Sequence, residues 1–254
     1  PANKSADHVF YAKWFRCPIC MARSAPRRVA RASGVVAKPD QFGVVVAVDL
    51  KFVPDVNGTL HTFLNILDLG TRFSQFILVK DKASFTVAMA LMRAWFSWGG
   101  PPDHLVHDLG TEFARHFAAL IQRFGMTTRV APAEAPWQNA MCERHGGVLA
   151  EIMTASIQSA QIEGAAEMEL AGYAAASAKN RRADRTGHSA RSRLFGKEER
   201  WPGAAVDQAF DGPWPTETQG VTGSGDKVFR RAMKIRLAAN ESLARMDADD
   251  TWSR

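Results

Sequence analysis

Three carboxylates in this 254-residue chain stand in an order that could hold divalent metal. Asp49 closes the most apolar run of the sequence, Val44-Val45-Val46-Ala47-Val48. Asp108 comes 59 positions later, within His107-Asp108-Leu109-Gly110-Thr111-Glu112-Phe113. Glu143 comes 35 positions after that, within Pro136-Trp137-Gln138-Asn139-Ala140-Met141-Cys142-Glu143-Arg144. Mg²⁺ takes oxygen ligands and is normally held by one or two carboxylates together with waters and substrate phosphates. Three carboxylates can therefore hold two Mg or Mn ions, about 3.5–4 Å apart, that clamp the attacking and leaving oxygens of a phosphodiester. Asp49 is the most telling of the three, because Asp is almost never fully buried unless paired and this one ends an apolar strand. Taken singly, Asp108 before Leu109-Gly110 also reads as a turn acid, and Glu143 as a solvated charge.

The order Asp49, then Asp108 in Asp-x-Gly-Thr-Glu-Phe, then Glu143 in Gln-Asn-x-x-x-Glu-Arg resembles the D,D(35)E core of retroviral and LTR-retrotransposon integrases, over roughly Phe42 to Leu149. The resemblance implies an RNase H-like α/β fold, a mixed five-stranded sheet flanked by helices. It implies integrase-type polynucleotidyl transfer, in which a DNA 3′ end is cleaved and then joined to target DNA. Asp49 would bridge two metals, Asp108 would complete one site and Glu143 the other, with Gln138, Asn139 and Arg144 as DNA contacts. The implied partners are element ends, target DNA and further copies of the chain, and the implied setting is the nucleus. Cys17-Pro18-Ile19-Cys20 resembles the end of the integrase zinc-binding region. Zinc at Cys17 and Cys20 would need a His pair from a longer parent chain, since only His8 precedes them here. Arg185-Thr186-Gly187-His188-Ser189, Leu194-Phe195-Gly196 and Trp201-Pro202 resemble the segment downstream of the core in retrotransposon polyproteins.

Departures from the family pattern bear on activity. Leu109, Ala131 and Ala140 stand where the family often has a polar residue, Ser and Gly. Gly146-Gly147 follows Glu143, and each Gly costs roughly 1 kcal/mol against Ala inside a helix, so the pair reads as a weakened catalytic helix. Two other functions fit the same residues: an RNase H-like nuclease that cuts without joining, and a catalytically decayed DNA-binding or assembly module.

The elements that must position the carboxylates follow from periodicity. Three β-rich runs, Val44 to Phe52, Leu60 to Leu67 and Phe73 to Val79, are separated by turn residues and predict an antiparallel meander. Asp68 before Gly70 reads as a turn residue bonded to local backbone rather than a ligand. Ala83 to Trp98 predicts a helix buried on more than one face. A strand over His104 to His107 delivers Asp108, and Phe113, Phe117, Leu120, Ile121 and Phe124 mark a helical face, with Glu112 favouring the helix dipole in its first turn. A short strand over Met126 to Val130 and a proline-bearing loop lead to a helix from about Asn139 toward Gln161. Its inward side is expected at Met141, His145, Val148, Ile152 and Ser159, with Glu143 opposite. Lys227 to Met246 predicts a basic amphipathic helix through Phe229, Met233, Leu237 and Leu243.

Charge is distributed unevenly about this centre. Residues 1–40 carry eight basic and two acidic side chains, 178–203 eight and three, and 227–245 six and one, whereas 41–177 carries nine and thirteen. Basic arms around an acidic centre suit a protein that grips a phosphate backbone and concentrates metal at one point. The expected organisation is a basic arm over 1–40 with the zinc-region remnant, a catalytic core over 41–180, and a basic C-terminal extension over 181–254 containing a Gly/Pro-rich linker. No run approaches the ~20 apolar residues of a membrane span. The start at Pro1, without a charged-then-apolar leader, reads as a piece of a longer polyprotein. Three cysteines, two of them spaced C-x-x-C, point to a reducing compartment rather than a disulfide scaffold.

Overall fold

The computed structural model describes residues 41–130, 136–184, 186–197 and 224–252. Its five strands form one mixed sheet of order β3-β2-β1-β4-β5. The meander is present as β1 (Val45–Pro54), β2 (Leu60–Asp68) and β3 (Ser74–Val79), all antiparallel. β4 (His104–His107) and β5 (Thr127–Val130) extend the other side of β1 in parallel. With helices on both faces, this is an RNase H-like α/β fold.

β1 is central because Val45 to Leu50 are all buried, the pattern of a strand covered on both faces. Alternation divides its side chains. Val46, Val48 and Leu50 pack with α1 (Ser84–Leu91) and α2 (His116–Arg123). Val45 and Ala47 pack with Cys142 of α3 (Pro136–Ala160), and Val53 joins a cluster made with α3, α4 (Gly164–Arg181) and the C-terminal helix. α1 continues through a π-helical Met92–Phe96 into Ser97–Gly99. It buries Val87, Ala88, Leu91 and Trp95 but leaves Phe85 exposed. The helix expected from Phe113 to Phe124 is broken at Arg115, whose φ is 45°, into a 3-10 turn Thr111–Phe113 and α2.

Asp68 acts as the turn reading requires. It is fully buried, its Oδ2 accepts from the Thr71 N–H and hydroxyl at 2.7 Å each, and its Oδ1 accepts from Gly43 N–H at 3.0 Å. Asp55 fixes the preceding turn by accepting from the N–H groups of Asn57, Thr59 and Gly164.

Two helices present faces other than those expected. On α3 the buried residues are Cys142, Gly146, Leu149, Ile152, Met153, Ser156, Ile157 and Ala160, a stripe displaced from Met141, His145 and Val148. Small residues at Cys142 and Gly146 let this helix approach the sheet, where a Cβ on Gly146 would lie 2.8 Å from Lys51 Cε and 2.9 Å from Asn65 Nδ2. Gly146 is thus a close-packing residue. Gly147 is exposed with open space around its Cα.

After α5 (Ala190–Phe195), the C-terminal α6 (Ser224–Trp252) inserts Ile235, Ala238, Ala239 and Leu243 into the cluster with α3 and α4, while Leu237 is half-exposed. Arg231 anchors it, donating to both Glu167 carboxylate oxygens at 2.7 and 2.6 Å and to the Ala160 and Gln161 carbonyls. Residues 1–40, with Cys17 and Cys20, and most of the expected linker lie outside the described residues.

The end of α4 is stitched to the start of β3 by polar groups. Asn180 exchanges two hydrogen bonds with the Ser74 backbone, at 2.8 and 2.7 Å. Buried Lys179 donates to Ser74 Oγ at 2.7 Å and to the Arg72 carbonyl at 3.1 Å. Burial lowers the Lys179 ammonium to about 7; Arg72 and Arg182 add to this and Cys142 opposes it.

Two stability predictions follow from this packing. Between pH 7 and about 8.5 the unfolded chain holds a proton on Lys179 that the folded chain sheds, so stability should rise with pH across that window. Thermal melts should show this rise in the wild type and a flatter dependence in Lys179→Met; equal slopes would refute it. Gly147→Ala should stabilise by about 1 kcal/mol in denaturant melts through helix propensity alone. Gly146→Ala should not, because its methyl displaces Lys51 and Asn65, and an equal gain from both would overturn the packing role.

Candidate acidic site between β1 and the end of β4

The parallel pairing of β1 and β4 sets the geometry of the site. Val45 pairs with His104, Val46 with Leu105 and Ala47 with Val106, a constant offset of 59 positions. Continuing that offset two residues past the last pair would set Asp49 level with Asp108, which lies just beyond the end of β4. Asp108 follows the end of β4, in the turn to Gly110, while β1 runs on past Asp49 to Pro54.

The local surroundings of the two acids differ. Asp49 is only 8% exposed, on the α3 side of the sheet. Lys51, two positions along the same strand and so on the same side, places Nζ 2.7 Å from Asp49 Oδ2. That oxygen makes no directional hydrogen bond among the described residues, so the contact is an ion pair of charge against charge. Asp108 is half-buried, and its Oδ1 accepts from Gly110 N–H at 2.9 Å, closing the turn. Before it, His107 is buried against the rings of Phe113 and Phe117, and its Nδ1 lies 2.6 Å from the Asp108 carbonyl oxygen.

Helix α3 lies over the same side of the sheet. Asn65, the cross-strand partner of Asp49, donates to the Cys142 carbonyl at 3.0 Å and to Cys142 Sγ at 3.3 Å. Burial pushes the Cys142 thiol up; nearby Asp49 adds to the shift, as Glu143 does more weakly, against Lys51 and Lys179. Glu143 itself is exposed, as is Arg144. Gln138 and Asn139 fall in the first turn of α3, and their side chains lie outside the described residues.

Among the described residues, no three His, Cys, Asp or Glu side chains converge as a metal-holding group. The β1–β4 offset, carried two residues further, would set Asp49 level with Asp108, and Glu143 is exposed on α3. As arranged, these carboxylates do not fit a two-metal seat, because the Asp49 oxygen that would face a cation already faces Lys51. Lys51 and Asn65 are the site residues that sequence reasoning passed over, and it read Gly146 only as a weak point of the helix. An acid and a lysine spaced i, i+2 on a strand was the available signal for Lys51. Asn65 became visible only with the β1–β2 register.

No family model matches the chain, and no curated protein matches it. Solved structures do. A simian T-cell lymphotropic virus intasome, in complex with the PP2A regulatory subunit B56 gamma, is similar with a TM-score of 0.56 at 14% identity, over 88% of this chain and 73% of that one. The HTLV-2 integrase catalytic core domain in complex with magnesium aligns with a TM-score of 0.49 at 14% identity, covering 59% of this chain and 94% of that one. The BIV integrase catalytic core gives 0.47 at 16% identity, covering 59% and 92%. On the first of these the chain shares its fold with a protein of a retroviral intasome, and at 14% identity the likeness is one of fold.

Proposed function

We propose that this chain is a nucleic-acid-binding module on an integrase-like fold, whose acidic centre is balanced by Lys51 rather than by two metal ions. The observation that supports the reading of the acidic centre is the 2.7 Å ion pair between Lys51 and Asp49. Binding is assigned to the basic stretches, including the exposed Lys227, Lys234 and Arg245 of α6, which meet phosphates by charge. DNA is the proposed partner, and self-association and a nuclear setting belong to the same proposal.

A second reading is integrase-type cleavage and strand transfer, favoured by the offset that, continued two residues, would set Asp49 level with Asp108. In that reading Asp49, Asp108 and Glu143 are the carboxylates for Mg or Mn, and Gln138, Asn139 and Arg144 contact DNA. Lys51 would have to leave Asp49, and Glu143 would have to turn inward. An RNase H-like nuclease would use the same carboxylates and cut without joining.

DNA affinity, measured by fluorescence anisotropy in EDTA, should fall by orders of magnitude between about 50 and 200 mM salt, as released counterions require when several phosphates are neutralised. A flat response removes the binding proposal. With Mg²⁺ or Mn²⁺ present, wild type should neither cleave nor join DNA ends, and Glu143→Gln should leave DNA affinity unchanged. If wild type does both and Glu143→Gln loses both together, while Glu151→Gln on the same helix does not, the second reading replaces the first.

A further inference from the structure

The geometry points to Lys51 as the resident cation of the acidic centre: its ammonium sits where a divalent ion would bind Asp49, so the ion pair and metal binding exclude each other. This rests on the part of the proposed function that balances the acidic centre with Lys51, and it does not depend on nucleic-acid binding.

Three observations carry it. Asp49 is nine-tenths buried, and a buried carboxylate without hydrogen-bond donors needs an opposite charge beside it. Lys51 supplies that charge at contact distance. The lysine stem is confined as well, since α3 crosses directly above it at Gly146, where a Cβ would come within 2.8 Å of Cε and 3.4 Å of Cγ. The missing side chain at Gly146 makes room for the stem, and the helix above it limits where the ammonium can go. A second cation at the same oxygen would meet that ammonium at a few ångströms, where the two like charges repel.

Asp108 follows the end of β4, and its Oδ1 accepts from Gly110 N–H. Without the lysine, Asp49 would stand as an uncompensated acid, level with Asp108 if the β1–β4 offset continues, and open to one hard divalent cation completed by waters. The chain thus carries a metal site that its own lysine keeps closed.

The test is Mn²⁺ binding to the full purified chain, read by the EPR signal of free Mn²⁺, with no DNA present. Replacing Lys51 by Met removes the competing charge and leaves Asp49 uncompensated, so Lys51→Met should bind one Mn²⁺ at least about tenfold more tightly than wild type. Lys51→Arg keeps a cation and should behave as wild type. Adding Asp49→Asn to Lys51→Met should abolish the gain. Equal affinity in wild type and Lys51→Met, including no binding by either, overturns the proposal, as does a gain that survives Asp49→Asn. Far-UV circular dichroism establishes that each protein is folded, and Lys51→Gln gives the same comparison with a neutral polar side chain if Lys51→Met does not fold. Loss of DNA binding with the Mn²⁺ result intact would instead count against the proposed function alone.

Discussion

The part of β1 that is covered on both faces, Val45 to Leu50, includes the charged Asp49, and partly exposed Lys51 follows it where the strand passes beneath α3. Much of the surrounding structure is a response to that constraint. The two side chains share one side of the strand and neutralise each other. Asn65 on β2 holds the α3 backbone beside them through the Cys142 carbonyl. Gly146 gives up its side chain so that the helix can close over the lysine stem. The polar layer between β1 and α3 is therefore narrow and tightly packed, with apolar clusters on either side of it.

The parts of this arrangement that depend on local chemistry were legible in the sequence. Apolar runs and turn residues located all five strands, and the Asp68-Leu69-Gly70 turn could be told from a ligand because an Asp before a Gly caps its own backbone. The parts that depend on register or on close approach were not. Nothing in a linear sequence says that Asn65 faces Asp49 across β1 and β2. The two glycines after Glu143 look alike by helix propensity, yet one is pressed against Lys51 and Asn65 and the other faces open space. Apolarity pointed to Met141, His145 and Val148 as the inner face of α3, whereas the chain buries the smaller Cys142 and Gly146. Small residues carry little hydrophobic signal, but they set how near two backbones can come.

The same principle decides how α6 docks. Its large apolar residues suggested a face through Leu237, but the helix turns Ala238, Ala239 and Ser242 inward and leaves Leu237 half-exposed. Alanine on α6 meets alanine-rich α4, with Ala171, Ala174, Ala175 and Ala178 in the same cluster. Arg231 then satisfies carbonyls where α3 ends, groups that a helix C-terminus leaves without intrahelical partners. The C-terminal helix thereby shares its packing with the helix that bears Glu143.

Cys142 has a consequence of a different kind. It is fully buried, its thiol is held in the neutral form, and it sits one residue before Glu143 at the contact of α3 with the sheet. The thiolate is the reactive species, so an alkylating reagent can reach this sulfur only when the helix lifts away from β1 and β2. Its alkylation rate, followed at Cys142 separately from Cys17 and Cys20, is therefore an internal clock for local opening of α3 that needs no substitution in the chain. The clock stands beside Glu143, where any inward turn of that carboxylate would begin.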